Sequence, residues 1–189
     1  MDKYIMQKLA SSLDTTPFEW LKGRSYSDSF VICIGAGPWK FTRRRVIQGM
    51  ALKKLCSRDI SEIFRTINWY PLEWQNNFLD SMRKYLINNK ITMEKFCSSL
   101  NKNEARNKIF SAAGCPHGSK VLSLFCRDVL KVDAFPIDRH VKRFLEEHNL
   151  PANEQSMIKI CHNAGLDPCE VAVGIVRKAS NMDNPDWSE

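Results

Sequence analysis

The strongest constraint on this chain is rhythm. From Pro38 onward, apolar residues recur three and four positions apart in short runs, and the runs are punctuated by residues that start or stop helices. Val46, Ile47, Met50 and Leu55 share a face within 39–55. Asp59 and Glu62 make a capping signature before Ile60, Ile63, Phe64 and Ile67. Pro71 opens a helix carrying Leu79, Met82 and Leu86, and Thr92 precedes Met93, Phe96, Cys97 and Leu100. A helix over 103–113 stops at Gly114. Three more are predicted over 119–131 (Val121, Leu122, Phe125, Val129), 137–149 (Val141, Phe144, Leu145) and 153–165 (Met157, Cys161, Ala164). Asp167, Pro168 and Glu170 then combine an N-cap, a first-turn proline and an acidic third position, opening a last helix to about residue 181.

The N-terminal part is less regular. Residues 2–13 form an amphipathic segment, and 14–38 are mixed. The run Phe30–Ile34 has strand-like composition, but Gly35-Ala36-Gly37-Pro38 breaks it and no second strand is available to pair its backbone. It is therefore read as a buried helix end or an extended segment. The expected fold class is all-α, with about eight to ten helices.

Length and charge narrow the partners. A chain of 189 residues suits one domain, or two closely packed lobes, around a real core. It carries 28 Lys+Arg against 21 Asp+Glu, for a net charge of +7. That balance favours polyanions, either nucleic acid or an anionic membrane surface, although solubility alone accounts for it equally well. The seven cysteines contain no C-x-x-C pair, and most fall in apolar helical stretches where a thiol acts as a small hydrophobe. This suits a reducing, intracellular setting: the cytoplasm of a prokaryote or a nucleus. The opening MDKYIMQKLASSLD lacks the apolar core of a secretory signal, and no apolar run approaches the roughly 20 residues needed to span a bilayer. A membrane partner is not expected.

The chemistry concentrates in residues 111–150, which read helix, tight turn, helix, loop, helix. The turn Gly114-Cys115-Pro116-His117-Gly118-Ser119 holds two glycines and a proline, and such a turn aims backbone N–H groups toward a phosphate. Lys120 follows in the first turn of the second helix. Pro136-Ile137-Asp138-Arg139-His140-Val141 comes next, with Asp138 18 residues after Lys120. This hairpin, lysine and PIDRHV block, in this order, resembles the helix-hairpin-helix superfamily of DNA glycosylases. The likeness is strong over about 40 residues. It departs from the family where the usual Gly-hydrophobic-Gly turn reads Pro116-His117-Gly118. Only Cys161 and Cys169 follow Asp138, too few for the four-cysteine iron–sulfur loop of some branches. What remains resembles the compact 8-oxoguanine glycosylases, including the archaeal kind.

The resemblance implies a single domain over 1–189 in two helical lobes, with the hairpin at the DNA-binding cleft. One lobe spans about 39–131, including the hairpin at 105–131. The other is built from about 1–38 and 132–189. The implied protein is a cofactor-free, metal-free, monomeric enzyme acting on double-stranded DNA that contains a damaged base, most readily 8-oxoguanine. It is bifunctional: base excision is followed by strand nicking. Lys120 attacks C1′ of the sugar and forms a Schiff base, from which β-elimination breaks the strand. Asp138 stabilises the positive charge that develops on the sugar. An ammonium is inert, so Lys120 needs a lowered pKa, and Arg127 seven residues on is a candidate cation to lower it. Lys108 is the next candidate amine. Two alternatives stand beside this: a monofunctional glycosylase for alkylated or other bases, and a non-catalytic helix-hairpin-helix DNA-binding module.

Further candidates are weighed against plainer roles. His117, Gly118, Ser119 and Arg139 are expected at phosphates, as is the dense basic run Arg43-Arg44-Arg45, which reads equally as a solvated face. Asp138 also suits a helix N-cap, and His140 is expected to be structural. Trp39, Trp69, Trp74, Trp187 and Phe135 are core residues by default, yet a flipped base needs aromatic faces. Trp39, Phe135, Asp183 and Trp187 are the candidates for that pocket. Asp183 and Trp187 also resemble an Asp and a Trp that help hold the base near the C-terminus of the archaeal group.

Overall fold

The computed structural model describes residues 2–19, 21–35, 73–115 and 119–180. Among these, every regular element is helical. The helices are α1 (Asp2–Ala10), α2 (Tyr26–Gly35), α3 (Glu73–Asn88), α4 (Met93–Ser98), α5 (Lys102–Ala112), α6 (Lys120–Phe125), α7 (Arg139–Glu147), α8 (Glu154–Ala164) and α9 (Pro168–Ser180). A π-helical turn, Cys126–Leu130, continues α6. No helix among the described residues is long and apolar enough to cross a membrane. The expected helices at 39–55 and after Asp59, the helix start at Pro71, and the tail beyond Ser180 lie outside the described residues.

The chain divides into two compact units, Gly23–Phe125 and the pair of segments Met1–Lys22 and Cys126–Glu189. In the first, α2 is the centre. Residues Ser29 to Gly35 are all buried, because the helix is apolar on every face and packs against α3, α4 and α6. This resolves the run Phe30–Ile34 as helix. Its ends are satisfied from neighbouring helices. Glu94 accepts from the N–H of Ser27 at 3.2 Å, placing a carboxylate at the positive end of α2. The buried Gln75 amide donates to the Ile34 carbonyl at 2.8 Å, one of the carbonyls a helix end leaves open. Phe30 and Phe125 meet edge to face at 5.2 Å between ring centroids. Trp74, expected in the core, instead stands 39% exposed at the start of α3. The buried face of α3 runs through Gln75, Leu79 and Met82, and Trp74 falls off it.

In the second unit, α1 packs on α8, and α9 packs on both α7 and α8. Met6, Phe135, Val141, Leu145, Met157, Cys161, Val171 and Ile175 form its core. Gln7 joins α1 to the end of α8 through the Ala164 carbonyl, at 3.1 Å. The chain after α1 lies so close to α9 that a Cβ on Gly174 would stand 2.6 Å from Cβ of Leu13 and 3.3 Å from the Asp14 carbonyl oxygen. Arg177, one turn on, donates to the Thr16 carbonyl at 2.8 Å, and its guanidinium lies 4.6 Å from the Phe18 ring centroid.

Candidate functional site

Lys120 and Asp138 sit on different units, each placed by local backbone chemistry. α5 starts at Asn101, whose side chain accepts from the Asn103 N–H. It ends in a Schellman arrangement: Gly114 donates to Ser111 O at 3.0 Å and Cys115 to Phe110 O at 2.9 Å. Gly114 takes a positive φ of 71° there. The Ser119 carbonyl accepts from the Ser123 N–H as the next helix begins. Lys120 is then the first residue of α6 and is partly buried. A cation is disfavoured at that end of a helix, where backbone N–H groups converge. Pro116, His117 and Gly118 lie outside the described residues.

Asp138 caps α7. Its backbone is extended (φ −104°, ψ −176°), and Oδ1 accepts from the N–H groups of His140 and Val141, each at 2.9 Å. The carboxylate is therefore held at a helix N-terminus, as the cap reading expects. Arg139 is exposed, and its Nε donates to Nε2 of His140 at 3.2 Å.

Arg127 is not a free cation available to tune a lysine. It is 3% exposed, and its guanidinium grips Asp128 through two hydrogen bonds of 2.6 and 3.0 Å. Its charge is thus compensated by its own neighbour. It also lies 5.6 Å from the Phe18 ring centroid. Lys108 is a poor substitute nucleophile. A hydrogen bond to Glu104, and then that residue's charge, hold its amine above the usual lysine value. Phe135 is fully buried in the core beside Val141 and Leu145, so its ring has no exposed face. Trp39, Arg43, Arg44, Arg45, Asp183 and Trp187 lie outside the described residues.

The described cysteines are all free thiols. Burial pushes Cys97 and Cys161 up to about 12 and Cys169 up to about 11, which leaves them protonated and unreactive at neutral pH. Among the described residues no group of three or more His, Cys, Asp and Glu is placed to hold a metal ion.

Two features carry no local sequence signal. The π turn at Cys126–Leu130 interrupts a stretch whose apolar spacing fits a regular helix to 131. Glu154 reaches back 19 residues to accept from the Phe135 N–H at 3.0 Å. A π turn buries much the same apolar positions as an α turn over so short a span, and a contact across 19 residues leaves no periodicity. No family model, curated protein or solved structure matches the chain.

Proposed function

We propose that this protein is a bifunctional DNA glycosylase and abasic-site lyase of the helix-hairpin-helix type, with the hairpin at 105–131 as its DNA-binding element. The observation that carries the reading is the placing of Asp138. A carboxylate two residues past Pro136 caps the helix that begins at Arg139, in the sequence context PIDRHV. Support also comes from Lys120, which is the first residue of α6, while α5 ends before Gly114.

In this reading the damaged nucleotide leaves the stack, and each residue has its own role in the chemistry at its sugar. As the bond from C1′ to the base breaks, positive charge grows on the sugar, and the Asp138 carboxylate stabilises it. The Lys120 amine adds to C1′, and the base departs with the bonding pair and takes up a proton. The nitrogen then loses one proton, and the C1′–O4′ bond breaks as C=N forms, its pair going to O4′, which takes up a proton; the product is a protonated Schiff base. Removal of a C2′ proton then expels the 3′ phosphate and cuts the strand. 8-Oxoguanine is the base best suited to the reading, because its extra N7–H donor offers a handle that guanine lacks.

The test is reduction with sodium borohydride on duplexes that each carry one lesion. The wild-type protein becomes covalently linked to the lesion strand, and Lys120→Gln abolishes both the link and the strand cut while still binding DNA. Full cleavage by Lys120→Gln removes the Schiff-base role. Base release by the wild type without any trapped complex points to a monofunctional glycosylase, and binding without release to a non-catalytic module.

A further inference from the structure

The backbone that delivers Asp138 is held by side chains from α8 and α9. The Cys169 thiol, at the start of α9, donates to the Val132 carbonyl at 3.2 Å. His162, near the end of α8, lies 2.9 Å from Asp133, with both side chains about half exposed at 52% and 53%. Glu154, the first residue of α8, accepts from the Phe135 N–H at 3.0 Å. These contacts are unequal. A thiol is a weak donor, and a contact between half-exposed polar side chains contributes little. The Glu154 oxygen accepts from a partly buried backbone N–H in a direct hydrogen bond of ordinary length.

Its position along the chain matters as much. Only Pro136 and Ile137 separate Phe135 from Asp138. Proline fixes its own φ and confines the residue before it to extended conformations. Phe135 and Pro136 are both buried, and Asp138 is extended as it enters α7. With so few soft torsions in between, a shift of the Phe135 amide is passed to the Asp138 carboxylate. We infer that Glu154 is a positioning residue for Asp138, fixing where its carboxylate stands at the head of α7. The inference rests on the base-excision reading for its catalytic consequence, and on the geometry alone for its structural one.

Two variants and two readouts test it. In Glu154→Ala, amide hydrogen exchange at Phe135, His140 and Val141 quickens by about 10-fold or more as the local protection is lost. Single-turnover base excision by the same variant falls by about 10- to 100-fold, the scale of a misplaced catalytic group, while the duplex Kd stays within about twofold. Glu154→Gln keeps an acceptor oxygen and stays within about threefold of wild type in both readouts. Wild-type exchange and wild-type excision in Glu154→Ala overturn the positioning role. So does a Glu154→Gln variant as impaired as Glu154→Ala, because charge and not the hydrogen bond then matters. A wild-type protein that releases no base from any lesion duplex removes the functional reading instead. The exchange measurements then still decide whether Glu154 holds this backbone.

Discussion

At Asp138 one carboxylate oxygen already accepts two backbone N–H groups, so neutralising the side chain and removing it have different consequences. Asn is as good an N-cap as Asp, and Asp138→Asn keeps the cap within about 0.5 kcal/mol. It removes the negative charge, which matters most when the sugar is positive. On the base-excision reading proposed above, excision falls by at least about 100-fold, the scale set by losing one preorganised electrostatic group. Asp138→Ala loses the cap as well and costs about 1 kcal/mol of stability. Urea unfolding and single-turnover excision, measured on both variants, separate the two roles. Wild-type excision by Asp138→Asn leaves the residue a cap and nothing more.

At the scale of elements, helix ends were the most legible part of the sequence, because capping is local chemistry. Thr92 accepts from Lys95, and Asp167 accepts from Cys169 and Glu170 just ahead of Pro168, as their positions predict. Gly114 closes α5 where the pattern places the stop, and it is the sharper test. An added Cβ there meets Ser81 Oγ at 2.8 Å, and φ is +71°. Gly114→Ala is expected to cost at least about 1–2 kcal/mol from the left-handed backbone alone. A further loss from crowding Ser81 is relieved in a Ser81→Gly background, and urea titrations of the single and double variants measure both parts. The central helix α2 was less legible. A segment apolar on every face has no periodicity to distinguish helix from strand, and its burial against α3, α4 and α6 decides the matter. The candidate site divides the same way. The N-cap role of Asp138 follows from nearby residues. The burial of Arg127 with its neighbour Asp128 and the reach of Glu154 to Phe135 depend on packing that short-range pattern does not encode.

For the whole molecule, the net charge of +7 is compatible with DNA binding but does not establish it, since a solvated basic surface has the same sum. Some of the described basic groups are locally matched: Lys142 and Arg143 on α7 face Glu146 and Glu147 one turn on, each at 3.8 Å, and Lys108 is paired with Glu104. Side chains paired in this way have less net charge to offer a phosphate. Arg43-Arg44-Arg45, with Lys40, Lys53 and Lys54, is the densest run of like charge in the sequence, and it is the segment to test. A protein that neutralises phosphates releases condensed counterions, so log Kd rises with log salt in proportion to the number of phosphates contacted. If all three arginines meet phosphates, replacing them together with Gln lowers that slope by about 3 and weakens binding to any duplex, lesion or not. On the proposed reading, excision of a base already bound is affected far less, because these contacts are made equally before and during the reaction. Fluorescence anisotropy across a salt series, with wild-type and triple-variant protein on the same duplex, reads the slope directly. An unchanged slope makes the run a solvated face and returns the phosphate contacts to the hairpin and the first turn of α7.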